Sequence, residues 1–121
     1  MNNQAISIRP FIGAKDFKLS RSFYRDLGFQ EIVLFPNMSL FKTDKLGFYF
    51  QNAYVKDWID NSMIFLEVDD VEVYWKELLA LDLTAKYQAV KLVPIKKYDW
   101  GSECFMHDPS GVLWHIGQFK K

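Results

Sequence analysis

Cysteine is almost missing from this sequence: Cys104 stands alone. One thiol cannot close an internal disulfide, which suits a reducing compartment. Histidine is nearly as scarce, with His107 and His115 the two examples. Metal or nucleophile chemistry must therefore draw on the stretch that holds these three residues, or do without its usual side chains. Net charge is lacking too. Fifteen basic residues balance fifteen acidic ones, leaving no field to gather nucleic acid or an anionic membrane surface. No apolar run is long enough to span a bilayer, and Met1-Asn2-Asn3-Gln4 lacks the charged and apolar regions of a signal peptide. The expectation is a cytoplasmic protein with one core and neither a nucleic-acid nor a membrane partner.

Aromatic residues are abundant. Eleven Phe, six Tyr and four Trp in 121 residues exceed what a core of this size needs. Ile6, Ile8 and Ile12 alternate with Ser7, Arg9 and Phe11, the period of a strand. Asp16 has the chemistry of a helix N-cap, Leu19, Phe23, Tyr24 and Leu27 share one face behind it, and Gly28 marks the stop. Strands follow at 29–35, 38–42 and 46–51, separated by Pro36-Asn37 and Thr43-Asp44-Lys45. Residues 52–61 show no period and read as a linker. A strand over 63–68 leads to Asp69 or Asp70 as the next cap. Val71, Tyr74, Trp75, Leu78 and Leu79 then lie on one helical stripe that ends at Leu81-Asp82-Leu83. Pro94 bends a strand within 89–98 or confines it to an edge. Asp108-Pro109-Ser110-Gly111 reads as a tight turn closing a final hairpin.

Adding 54 to a residue number carries Asp16 onto Asp70, Ile12 onto Leu66 and Leu27-Gly28-Phe29 onto Leu81-Asp82-Leu83. The chain thus reads as a duplicated unit of the α+β class. Two tandem βαβββ modules, 5–51 and 62–119, share one domain, and neither can bury its sheet alone. The run Ser22-Phe23-Tyr24-Arg25-Asp26-Leu27-Gly28-Phe29, then Phe65-Leu66-Glu67-Val68-Asp69-Asp70-Val71, then Trp100-Gly101 and Asp108-Pro109-Ser110-Gly111 carries a resemblance. In this order and spacing the chain resembles the vicinal oxygen chelate superfamily, which contains glyoxalase I, extradiol dioxygenases and the fosfomycin- and bleomycin-resistance proteins. It is most similar to the bleomycin-resistance branch. The resemblance implies a cupped, incomplete barrel around a ligand or metal cavity, and a homodimer, since short members usually build their sites in dimers.

The resemblance also implies a divalent ion held by His or Glu from the first strand of each module and Glu from the last strand. Those positions fall here on Arg9, Met63 and His115. A guanidinium has no lone pair to give, and a thioether suits none of the usual ions. The expectation is no bound metal and no other cofactor. By strand parity Arg9, Met63 and His115 share a face with Phe11 and Phe65, while Ile6, Ile8, Ile12, Ile64, Leu66, Trp114 and Ile116 turn toward the helices. Phe35, Phe41, Phe48, Phe50, Trp58, Tyr98 and Trp100 could rim the same hollow. Each ring is separately a candidate for the core; together they suit a small-molecule pocket.

The polar candidates each keep more than one reading. Arg9 either clamps an anionic ligand or pairs with Glu67. His115 is a ligand partner, a satisfied interior imidazole or a catalytic base. A four-residue turn would set Cys104 opposite His115 as a thiol–imidazole pair, against the plainer reading of a buried apolar cysteine. The function expected is metal-independent binding of an aromatic or planar compound, with Arg9, Phe11, Phe41, Phe48, Phe50, Met63, Phe65, Glu67, Trp100 and His115 as the site. The alternative is a lyase, isomerase or dioxygenase-type enzyme that uses His115.

Overall fold

The computed structural model describes residues 3–121. Among the described residues, eight strands form two four-stranded sheets. The first sheet holds β1 (Phe11–Gly13), β2 (Gln30–Phe35), β3 (Met38–Thr43) and β4 (Leu46–Gln51), in the order β1-β4-β3-β2. The second holds β5 (Met63–Glu67), β6 (Lys91–Lys97), β7 (Gly101–His107) and β8 (Leu113–Phe119), in the order β5-β8-β7-β6. In both sheets the first strand runs parallel to the last, and the other pairs are antiparallel. This is βαβββ twice, in one topology.

The helices that follow each first strand, α1 (Phe17–Asp26) and α3 (Val71–Ala80), are ten residues long and lie 54 positions apart. Their caps are equivalent. Asp16 accepts from the Leu19 amide at 3.0 Å, and Asp70 from the Val73 amide at 3.1 Å. Even the exits match, because Gly28 (φ 102°) and Asp82 (φ 56°) both turn the chain through left-handed backbone. Beyond that point the copies diverge: Gly28 leads directly into β2, whereas Asp82 opens the short helix α4 (Leu83–Lys86).

Two stretches differ from the sequence expectation. Residues 56–60 of the linker form a helical turn, α2 (Lys56–Asp60), closed by a Lys56–Asp60 ion pair and anchored by buried Ile59. Ile6 and Ile8 do not join a strand facing the helices; each is 95% exposed. The first strand shrinks to three residues because its partner β4 pairs no further back than the Phe11–Tyr49 register, and Pro10 has no amide to extend the ladder.

One core serves both modules. Phe23 and Tyr24 of α1 pack against Phe41, Phe48 and Phe50 of the first sheet, Trp114 of the second and Tyr87 beyond α4. The Tyr24 hydroxyl, fully buried, donates to Asp108 Oδ2 at 2.6 Å and accepts from Trp114 Nε1 at 3.0 Å. The other Asp108 oxygen gathers the amides of Ser110, Gly111 and Val112 at 2.9 Å each. The turn motif read from the sequence is thus the point where the first helix is fastened to the last hairpin. Burial pushes the Asp108 carboxyl up, and these hydrogen bonds oppose the rise.

Candidate functional site

Each sheet has an inner face on the shared core and a free face turned away from it. Strand register decides which residues go where. On the first sheet Ile12 pairs with Phe50 on the inner face, and Phe11 with Tyr49 on the free face. On the second, Ile64 pairs with Trp114 inside, and Phe65 with His115 on the free face. Within each sheet the alternation read for Phe11, Met63, Phe65 and His115 holds, but the one shared face expected from the sequence is two, Phe11 lying on the first sheet and the other three on the second.

Phe41, Phe48 and Phe50 lie on the opposite side. All three are buried, with Phe41 against Phe48 and both against Tyr24, so they are core residues under α1. Tyr49 and Leu40, which pair with each other across β3 and β4, take the free-face positions instead. The β4 sequence Phe48-Tyr49-Phe50 is aromatic on both faces, and period two alone cannot say which face is inside.

The free face of the first sheet carries Arg9, a cation set against aromatic rings. Arg9 Nη1 donates to the Tyr49 hydroxyl at 3.3 Å, and its guanidinium carbon sits 5.8 Å from the centre of the Tyr49 ring. Phe11 stacks on the same ring at 4.8 Å. Arg9 Nε is buried with no hydrogen-bond partner, and among the described residues no carboxylate reaches the group. Glu67, the alternative partner read from the sequence, is exposed at the far end of β5 and does not pair with Arg9.

The free face of the second sheet carries an aromatic cluster with a polar centre. Phe65, Trp100 and Phe119 meet at 5.4–6.1 Å between ring centres, and Tyr98 stacks flat on Trp100 at 5.5 Å. Beside them His115 Nδ1 lies 2.8 Å from Glu103 Oε1. Glu103 was not among the residues the sequence singled out. Its signal was available, since β7 parity puts Glu103 on the face of His115 once the hairpin register is known.

That register also separates Cys104 from His115. Cys104 pairs with Ile116, and Phe105 pairs with His115. The loop holds five residues, because the Asp108 amide bonds back to the Val112 carbonyl. Cys104 consequently faces the core, fully buried, and burial pushes its thiol up to about 11 with a further contribution from the neighbouring Glu103 charge. It is the small apolar cysteine, with no imidazole to activate it.

Arg9 and His115 lie on the free faces of different sheets, and no recess is lined by both among the described residues. A recess of about 340 Å³ opens between the modules, where Ile8, Pro10 and Phe48 meet Ile64, Phe65 and Trp114. Of the residues read as site, Phe48 and Phe65 line it.

The divalent ion that the resemblance implies does not fit the residues present. Arg9 offers no lone pair, Met63 offers an exposed thioether, and one His115 nitrogen already faces Glu103. Among the described residues of one chain no three His, Cys, Asp or Glu side chains converge to hold an ion.

The sequence matches no protein-family model and no curated protein. Solved structures are informative. The chain is similar to a bleomycin-binding protein from Streptomyces verticillus, crystallised with copper(II)-bleomycin, at 17% identity and a TM-score of 0.79 over 98% of this chain and 99% of that one. A bleomycin resistance determinant encoded on the transposon Tn5 gives 18% identity and a TM-score of 0.79 over 95% and 98%. Lactoylglutathione lyase from Agrobacterium tumefaciens gives 16% identity and a TM-score of 0.72 over 96% of each chain. With two βαβββ modules around one aromatic core, the chain has the fold of the vicinal oxygen chelate superfamily, as seen in bleomycin-binding and glyoxalase-family proteins.

Proposed function

We propose that this protein is a metal-independent binder of a flat, largely apolar compound that carries an anionic or carbonyl oxygen. The observation that carries the reading is Arg9. Its charge is partly buried beside stacked Phe11 and Tyr49, and among the described residues its one hydrogen-bond partner is the Tyr49 hydroxyl while its Nε has none. Leaving a buried donor unpaired costs about 1–3 kcal/mol, and a forked oxygen ligand would relieve that cost. Similarity to bleomycin-binding proteins agrees with a binding role. The balanced net charge argues against a strongly cationic ligand such as bleomycin itself.

The working unit in this reading is a homodimer. Phe11 (60% exposed), Met63 (66%) and Phe65 (45%) stand on free faces, and Ile6 and Ile8 form an uncovered apolar arm. Singly exposed apolar residues are ordinary, but contiguous ones mark contact surfaces. A two-fold pairing that set the first sheet of one chain against the second sheet of its partner would close these faces over a shared hollow. Sedimentation at micromolar concentration should give a species of twice 14.3 kDa; a monomer alone refutes the dimer.

The binding claim is tested with naphthoate and its uncharged amide. Tryptophan fluorescence reports the complex through Trp100, which is 37% exposed. Arg9→Lys should weaken naphthoate about tenfold or more, because a lysine cannot copy the fork, and should leave the amide nearly unchanged. Equal weakening of both compounds overturns the role given to Arg9.

The lyase, isomerase or dioxygenase alternative has one observation in its favour, the imidazole of His115 held by Glu103 on an open face. Turnover that survives chelation and disappears in His115→Phe would establish it.

A further inference from the structure

Glu103 and His115 form the one carboxylate–imidazole pair on either free face among the described residues, and the sequence motifs do not account for it. The carboxylate is buried, at 8% exposure, on a strand whose other buried residues, Gly101, Cys104 and Met106, carry no charge. A buried carboxylate needs a donor, and the imidazole N–H is the donor it has: Nδ1 lies 2.8 Å from Oε1. The ring is held from two more sides. Phe65 lies nearly parallel to it at 6.5 Å, and Phe105 stands edge-on at 5.1 Å. Gly117, which pairs with Glu103 across the hairpin, makes the arrangement possible. A Cβ there would come within 2.6 Å of the Phe65 ring, so only glycine lets that ring settle over β8 beside the imidazole.

We infer that Glu103 fixes His115 in the Nδ1–H tautomer and thereby presents Nε2 as an oriented hydrogen-bond acceptor, selecting flat ligands that carry an O–H or N–H donor. Free imidazole favours the opposite tautomer, in which Nε2 bears the proton and would select acceptors instead. A carboxylate on one ring nitrogen settles the role of the other. Phe65 and Phe105 flank the ring, and Phe65 with Trp100 gives a flat ligand a surface on which to stack. The inference rests on the small-molecule reading above but adds a second specificity element of opposite sense: Arg9 takes an acceptor, His115 a donor.

Two measurements on the intact protein test it, both made at a pH where the His115 nitrogen shifts show a neutral ring. Long-range proton–nitrogen NMR should show His115 with a protonated Nδ1 and a bare Nε2, and Glu103→Ala should shift it toward the Nε2–H form. Binding of naphthol and its methyl ether, equal in shape but differing in the donor, should favour naphthol by about three- to tenfold, the ratio expected of one net neutral hydrogen bond. Glu103→Ala and His115→Phe should each bring that ratio to about one. An Nε2–H tautomer in the unmodified protein overturns the inference outright, whatever the variants do. Equal binding of naphthol and its ether overturns it while leaving the binding-protein reading intact. Failure of both to bind overturns both.

Discussion

Tyr24→Phe removes one oxygen atom from the centre of the molecule, and the structure fixes what that oxygen does. It donates to Asp108 Oδ2 at 2.6 Å and accepts from Trp114 Nε1 at 3.0 Å, with all three residues buried. A hydrogen bond to a charged group contributes about 1.5–3 kcal/mol, and a buried neutral donor left unpaired costs about 1–3 kcal/mol. The ring itself stays, so no cavity penalty beyond one hydroxyl is added. The expected loss is about 3–5 kcal/mol, a large share of the stability of a domain this size. Roughly 4 °C per kcal/mol then predicts a Tm lowered by about 10–20 °C. Urea titration followed by tryptophan fluorescence measures the loss, and Ser22→Ala on the same helix is the control. The Ser22 hydroxyl meets Tyr87 at 2.9 Å in a half-buried setting and should cost about 1 kcal/mol or less. If Tyr24→Phe costs no more than that control, the fastening of α1 to the last hairpin through Asp108 is wrong.

Two further outcomes follow from single groups. Burial pushes the Glu31 carboxyl up, but bonds from Arg21, Ser39 and Arg25 outweigh it and hold the group below its ordinary 4.5. A carboxyl lowered on folding contributes stability that is fully present above its unfolded value and lost as pH falls through the folded one. Glu31→Gln should therefore flatten the acid limb of the stability curve below about pH 4.5 while lowering stability at neutral pH. Cys104, buried and raised to about 11, should resist aromatic disulfide reagents in the folded protein and react at the rate of global unfolding; rapid labelling of the native state contradicts its placement.

How much of this was legible in the sequence depends on whether local chemistry or long-range packing made the decision. Asp16, Asp70, Gly28 and Asp82 announced both main helices because caps and left-handed exits are local. Strands with apolar residues on one side and mixed residues on the other, such as Met63–Glu67, gave their faces by parity. Phe48-Tyr49-Phe50 did not, because the inner face there is chosen by Phe23 and Tyr24 arriving from α1, which no window of β4 contains. The Cys104–His115 pairing failed by one residue for a similar reason. The Asp108 amide and carboxylate both close on Val112, adding one residue to the loop and turning every β7 side chain to the other face. Lys56–Asp60 was readable as an (i, i+4) ion pair of a short helix, although the residue that anchors it, Ile59, is buried by contacts outside the segment.

The central claim is that the site belongs to the free sheet faces and needs no metal. The direct measurement is a naphthoate titration followed by amide and side-chain chemical shifts, run with and without a strong chelator. The account predicts saturable shifts at Arg9, Phe11, Tyr49, Phe65 and His115 with the same affinity in both buffers. Loss of binding on chelation, or shifts confined to residues outside those faces, would contradict it.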